Sequence, residues 1–310
     1  MNIYLIADKP RTDRVIDDLS KAGKVTVVQR LEEITALNDP EEKVIGVAPG
    51  EVDWKLPKEE LEKIKKIKGI CTLSAWAQWI DLDYCKTNDI VVTNTPGANS
   101  QSVAEYAIWM MFSLAKKLPQ QICENFETHG DENHYQTEIL GKTMGVVGLG
   151  NIGSRIAKMG KGLGMDVLYW SPKSRNDDYQ YEELTKLLKE SDYVFNCVET
   201  YQETKNLFDK EKLSLMKKSA CFISVLGGMG YGQEDDNYII EAVNNGKLGG
   251  FAVESEHEKS FVVPEIKNGS NIFIPGSYGY YTNEAETLSL QKWVEAITGI
   301  ITRDYKYLVH

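Results

Sequence analysis

Residues 143–170 read TMGVVGLGNIGSRIAKMGKGLGMDVLYW, and their order decides the fold. An apolar run leads into a Gly-x-Gly-x-x-Gly turn at Gly148, Gly150 and Gly153, and a helical stretch then delivers the chain to a second apolar run. That strand, turn, helix, strand succession is the unit on which a dinucleotide pyrophosphate rests. The first glycine permits the tight turn, the second removes the side chain that would block the pyrophosphate, and the third lets helix and strand pack closely. Backbone N–H groups of the turn, including those of Asn151 and Ile152, and the positive helix end then hold the phosphates without a basic side chain. A turn that needs glycine for packing alone is the competing reading.

The residue that ends the second strand selects the dinucleotide, since a carboxylate there takes the ribose hydroxyls and repels a 2′-phosphate. The strand here ends YWSPKSR, without a carboxylate. Ser171 offers a hydroxyl, and Lys173 and Arg175 offer two cations that complement a dianion, Arg with two oxygens at once. The spacing predicts NADP(H) in preference to NAD(H). The alternative is a solvated basic loop that neutralises local Asp and Glu.

Outward from this unit the same rhythm continues. EELTKLLKES, DYVFNCV, ACFISVL, GGFAVE and NIFIPG follow it, and NIYLI, DRVIDDLSKAG, VTVVQ, VIGVAP, PKEELEKIKKI and GICTLSA precede it. Apolar runs alternating with amphipathic ones specify parallel strands covered by helices. Between the two sets, Val103, Ala107, Met110, Met111 and Leu114 fall at helical spacing in SQSVAEYAIWMMFSLAKKL, a helix bridging two domains. The expected fold is α/β, with two doubly wound parallel-sheet domains of Rossmann-like or flavodoxin-like type and a cleft between them. A chain of 310 residues suits two domains of ordinary size.

Composition narrows the partners. A net charge of −11 argues against nucleic acid or an anionic membrane, so a small-molecule substrate is expected. Five separated cysteines without a C-x-x-C pair suggest reduced thiols. The first apolar run is far shorter than a signal core or a membrane span. A cytoplasmic protein is expected. No metal site is expected, because no His, Cys or carboxylate pair has diagnostic spacing, and His129 and His134 lie in a polar loop.

Several segments together resemble the D-isomer-specific 2-hydroxyacid dehydrogenase family. They are NTPGANSQSVAE, GKTMGVVGLGNIGSRIA, ESDYVFNCVETYQETKNLF, LSLMKKSACFISV, GKLGGFAVESE and NIFIPGSYGYYTNEA. The SPKSR loop is similar to that of its NADPH-preferring glyoxylate or hydroxypyruvate reductases. The resemblance implies a discontinuous substrate domain, residues 1–98 with 284–310, around an inserted dinucleotide domain, 99–283. It further implies a homodimer formed through the bridging helix. It places Cys197, Thr204, Leu226 and Glu254 beside the cofactor, Glu254 standing where the family has an aspartate facing the nicotinamide amide.

The family's catalytic groups are not where the resemblance expects them. Its substrate-clamping arginine corresponds to Gly227 and its histidine to Ser277. Its glutamate falls near His257, with Glu256 or Glu258 one residue away. His257 and Ser277 are the candidate replacements, His257 because imidazole titrates near neutrality. An exposed histidine in an acidic loop is the competing reading. The family's small glycine-rich loop corresponds to LSAWAQWID, so Ser74, Trp76 and Trp79, with Tyr278, are candidate substrate contacts, packing being the alternative for the aromatic rings. Tyr280 and Tyr281 are hydrogen-bond donors of the same stretch, and Lys9, Arg11 and Arg14 are candidates for a relocated anion clamp. The expected function is an NADP(H)-dependent oxidoreductase acting on a carbonyl or C=N bond. The alternative is a catalytically silent dinucleotide-binding redox sensor.

Overall fold

Short runs rich in Val and Ile become strands: β1 Asn2–Ile6, β2 Lys24–Val28, β3 Lys43–Val47, β4 Ile67–Thr72, β5 Val91–Thr93, β6 Thr143–Val147, β7 Asp166–Trp170, β8 Gln180–Tyr181, β9 Tyr193–Asn196, β10 Cys221–Ser224, β11 Gly250–Val253 and β12 Ile272–Phe273. The computed structural model describes residues 1–127, 132–199, 204–225, 234–254 and 265–309. It divides into two compact units, Met1–Asn99 with Thr282–His310, and Ser100–Tyr281.

In the first unit five parallel strands take the order β2-β1-β3-β4-β5, the flavodoxin-like order. Alternation along each strand feeds two cores. Ile3, Leu5, Val44 and Cys71 pack on Val15 and Leu19 of the helix Lys9–Ser20 and on Trp293, Ile297 and Ile300 of the helix Asn283–Thr302. Tyr4, Ile6, Ile45, Val47 and Ile70 pack on Leu31, Ile34, Leu61 and Ile64. The C-terminal helix lies so close that a Cβ on Gly46 would stand 2.8 Å from Trp293 Cζ2. Trp293 Nε1 donates to the Cys71 carbonyl at 2.9 Å, which satisfies its only polar atom in the core. Of PKEELEKIKKI only Lys58–Leu61 is helical. The chain leaves the helix early so that Ile64 and Ile67 can enter the core, and Lys66 turns it at φ 56°.

The second unit carries seven parallel strands in the order β12-β11-β10-β9-β6-β7-β8. The order reverses direction between β6 and β9, the switch point beyond whose strand ends ligands bind in such sheets. On one face, Ala104, Ala107, Met110, Met111 and Leu114 of the helix Ser100–Ala115 join Ile156 and Ala157 of the helix Gly153–Gly162. On the other, Leu187 and Leu188 join Ile239, Ile240, Phe222 and Phe251. Helices therefore cover both faces, which is why the central strands read as near-continuous apolar runs.

Candidate functional site

The turn after β6 stands at the switch point, and two of its three glycines are required by the fold itself. Gly148 has φ 97°, and a Cβ on it would lie 2.8 Å from the backbone carbonyl of Cys197, so the ends of β6 and β9 touch there. Gly153 opens the helix, and its Cβ would sit 1.9 Å from the Gly148 carbonyl oxygen. Around Gly150 there is nothing within 4 Å, so no protein packing requires glycine there and the space is open. Ile152 at the N-cap brings no side-chain acceptor to the first turn, while Ser154 N bonds the Gly150 carbonyl at 3.0 Å and Asn151 is exposed. A glycine that packing does not need, beside a helix end without a side-chain cap, fits a dinucleotide pyrophosphate.

The loop after β7 is organised rather than loose. Ser171 is buried, and its Oγ accepts from Ser174 N at 3.2 Å. Arg175 Nη1 donates to the carbonyls of Ser171 at 2.8 Å and Ser174 at 2.9 Å, and the guanidinium lies 4.2 Å from the Tyr181 ring centroid. Asn176 N donates to Tyr169 Oη at 2.8 Å. Among the described residues Arg175 has no ion pair with a carboxylate, against the reading of a loop that merely neutralises neighbours. Lys173 is exposed in the same loop.

At the end of β9, Cys197 is half-buried, and burial pushes its thiol up and keeps it neutral. Thr204 is buried, its Oγ1 donating to the Glu199 carbonyl at 2.7 Å. The neighbouring Asn196 donates through Nδ2 to Glu234 at 2.8 Å, and burial raises the Glu234 carboxyl to about 7. Sequence reasoning missed Glu234, because an acid in GQEDDN reads as a solvated helix start.

Glu254, the residue after β11, is buried. Its Oε1 accepts from Gly279 N at 2.9 Å and its Oε2 from Ser277 Oγ at 3.0 Å. Burial raises its carboxyl above the ordinary value, and those two hydrogen bonds oppose the rise. Ser277 thus has a carboxyl partner of its own, which the sequence did not reveal. The loop is pinned further by Tyr106 Oη to the Gly276 carbonyl at 2.7 Å and by Ser102 Oγ to that of Gly279. Tyr278, Tyr280 and Tyr281 are exposed, so packing does not account for them. Leu226, Gly227, Glu256, His257, Glu258 and His129 lie outside the described residues.

In the first unit, Ser74, Trp76 and Trp79 follow β4 in a tightly bonded loop. Ser74 Oγ and Trp79 Nε1 both donate to the Trp76 carbonyl, and Asn94 Nδ2 donates to that of Ala75 at 2.8 Å. Trp79 is buried among Leu56, Ile64 and Ile80, so the expectation that it offers a face to a substrate is corrected: its ring is spent on packing. Trp76 is 46% exposed and stands 6.3 Å from Trp54, itself half exposed and also 6.3 Å from Trp79. Trp54 was missed because a single indole in the polar EVDWK has no periodic signal. The anion clamp suggested for Lys9 and Arg11 is also corrected. Lys9 pairs with Asp13 at 2.6 Å, and Arg11 pairs with Asp8 and Glu286, both at 2.8 Å, while Arg14 Nη2 donates to Thr287 at 2.9 Å.

Among the described residues no cluster of three or more His, Cys, Asp or Glu side chains is arranged to hold a metal, and no helix is long and apolar enough to cross a membrane.

Comparison with known proteins agrees with this geometry. Residues 108–268 match the model of the D-isomer specific 2-hydroxyacid dehydrogenase NAD binding domain. A D-3-phosphoglycerate dehydrogenase of Methanocaldococcus jannaschii is 26% identical over 294 residues, 92% of this chain but 55% of that protein, so the chain spans about half of that relative's length. A glyoxylate reductase of Thermococcus litoralis is 28% identical over 286 residues, covering 84% of this chain and 85% of that protein. Among solved structures, an acyclic imino acid reductase (Bsp5) in complex with NADPH and D-Arg superposes over 100% of both chains with a TM-score of 0.85 at 23% identity, a likeness that shows the fold.

Proposed function

The chain belongs to the D-isomer specific 2-hydroxyacid dehydrogenase family, which makes it an oxidoreductase with a nicotinamide-dinucleotide domain, and we propose that it uses NADP(H) to reduce a C=O or C=N bond in a small substrate that is not an ordinary 2-oxo acid. The observation that carries the cofactor preference is Arg175: it is stacked on Tyr181, unpaired with any described carboxylate, and set just beyond a β7 end where no acid stands to repel a 2′-phosphate. In this reading Gly148, Gly150, Asn151, Ile152 and Gly153 hold the pyrophosphate, and Ser171, Lys173 and Arg175 hold the 2′-phosphate. Cys197, Thr204 and Leu226 border the rest of the cofactor.

When bound, the cofactor supplies a hydride. Ser277 is the candidate proton donor to the substrate heteroatom, its Oγ held by Glu254 Oε2 across their 3.0 Å hydrogen bond, and its proton is replaced from solvent. His257 is a second candidate acid. Tyr278, beside Ser277 in the second unit, presents exposed aromatic surface to the substrate. The absence of an arginine at Gly227 argues against the family's usual carboxylate clamp, and the structural neighbour's NADPH and D-Arg support a C=N substrate as well as a C=O one. Five free cysteines suit a cytoplasmic protein, and exposed Trp109 on the helix Ser100–Ala115 suits a homodimer formed through that helix.

The test is protein-dependent oxidation of NADPH with a panel of 2-oxo acids, aldehydes, ketones and imines. Turnover of at least one aldehyde, ketone or imine, well above that of glyoxylate, pyruvate or hydroxypyruvate, is expected. Rapid turnover of those three acids sinks the altered-substrate reading.

A further inference from the structure

Arg175 is an exposed arginine on a loop, and such a side chain ordinarily samples many rotamers, which weakens any phosphate contact it makes. In this protein it does not stand alone. The two-residue strand β8 pairs with β7 at Leu168↔Gln180 and Tyr169↔Tyr181. This edge strand sets Tyr181 beside Tyr169, with ring centroids 5.5 Å apart at 78°. Tyr169 is fully buried and accepts from Asn176 N through its hydroxyl, tying the loop one residue beyond Arg175 to the core. The guanidinium then lies over the Tyr181 face at 4.2 Å, while Nη1 is held by the Ser171 and Ser174 carbonyls. One face and one nitrogen are occupied, and Nη2 and Nε donate to no group among the described residues.

From this arrangement we infer that Tyr181 is a positioning residue for dinucleotide selection: its ring holds the Arg175 guanidinium in place before the cofactor arrives, with Nη2 and Nε left to receive the 2′-phosphate. The inference rests on the NADP(H) reading of the site. The ring, not its hydroxyl, is the working part, since among the described residues Tyr181 Oη reaches only Glu183, at 3.5 Å. A face-on aromatic contact with arginine also leaves the in-plane N–H groups directed outward, where a phosphate can take two of them.

The experiment is a fluorescence titration of the full chain with NADPH and with NADH, for the native protein and for Tyr181→Leu, Tyr181→Phe, Arg175→Ala and the Arg175→Ala/Tyr181→Leu pair. Tyr181→Leu is expected to weaken NADPH roughly three- to tenfold while NADH affinity stays unchanged, which also reports that the domain is folded. Tyr181→Phe should retain native NADPH affinity. In the Arg175→Ala background the Leu substitution should change nothing further, because the ring then has nothing to hold. Equal weakening of both dinucleotides, unchanged NADPH affinity in Tyr181→Leu, or an additive loss in the double variant overturns the role of Tyr181 and leaves the cofactor reading standing. A native protein that binds NADH as tightly as NADPH overturns both. If Tyr181→Leu does not fold, Tyr181→Thr, which keeps a strand-favouring residue at the edge, is judged by the same outcomes.

Discussion

Ser277 and Glu254 share a hydrogen bond of 3.0 Å, although they lie 23 residues apart and on opposite sides of β12. Replacing Ser277 by Ala removes one of the two hydrogen bonds that oppose the rise of the Glu254 carboxyl. With any substrate found in the panel, Ser277→Ala is expected to lower turnover by about a hundredfold or more, the scale of a lost acid, with NADPH affinity unaltered. Steady-state rates beside a binding titration check this, and unchanged turnover removes Ser277 from the chemistry.

The same carboxyl links stability to pH. Its folded pKa lies above the ordinary value of 4.5, so folded protein holds this proton more tightly than unfolded protein does. The stability it contributes is fully present below 4.5 and is lost as pH rises through the folded value. The Tm difference between the native protein and Glu254→Gln should therefore shift in favour of Gln as pH rises across that window. Glu234, raised to about 7, titrates in both proteins and cancels in the difference. A difference that stays flat with pH counts against a perturbed Glu254.

Gly150 and Gly153 should separate under mutation. Because nothing lies within 4 Å of a Cβ at Gly150, Gly150→Val should leave Tm nearly unchanged while weakening both NADPH and NADH by roughly tenfold or more. Gly153→Ala places a Cβ 1.9 Å from the Gly148 carbonyl and should lower Tm as well as binding. Thermal melts of the two variants decide whether the open space at Gly150 belongs to the cofactor.

Arg175→Ala is expected to weaken NADPH by about 1.5–3 kcal/mol, the worth of hydrogen bonds to a charged group, or roughly ten- to a hundredfold, and NADH hardly at all. Equal losses for the two cofactors would show that Arg175 does not read the 2′-phosphate.

Trp109 is 42% exposed and packs its ring against Tyr106 and Phe273 at 4.8 and 4.9 Å. Light scattering is expected to give twice the chain mass for the native protein and the single mass for Trp109→Lys, since a charge at a self-complementary contact meets its own copy. A native monomer at micromolar concentration rules out the dimer.

The succession of strands and helices is legible in the sequence because period and punctuation are local: the turn at Gly148, the β7 end without an acid and the apolar side of Ser100–Ala115 all follow from spacing, whereas the order of strands in each sheet does not. Short elements were not. β5 is three residues, Val91–Thr93, and β8 is two, Gln180–Tyr181, too brief for any alternation to register. The helix Asp236–Asn244 is not legible because it begins among three consecutive acids, Glu234, Asp235 and Asp236, that read as solvated loop. The contacts that complete the site join residues whose pairing depends on tertiary placement: Ser277 with Glu254, Arg175 with Tyr181, Trp54 with Trp76. Spacing cannot announce a partner that the fold brings from elsewhere.

The packing of Trp293, Ile297 and Ile300 onto β1, β3 and β4 fixes an order of events during synthesis. The first sheet lacks part of one side of its core until the helix Asn283–Thr302 has been made, whereas Ser100–Tyr281 is synthesised before then. Until then Ile3, Leu5 and Val44 have only Val15 and Leu19 of the helix Lys9–Ser20 to pack on, while the later-made unit closes. A premature stop before Asn283 would leave Ser100–Tyr281 whole and open the amino-terminal sheet where Trp293, Ile297 and Ile300 belong, making that sheet the aggregation-prone part of any truncated product.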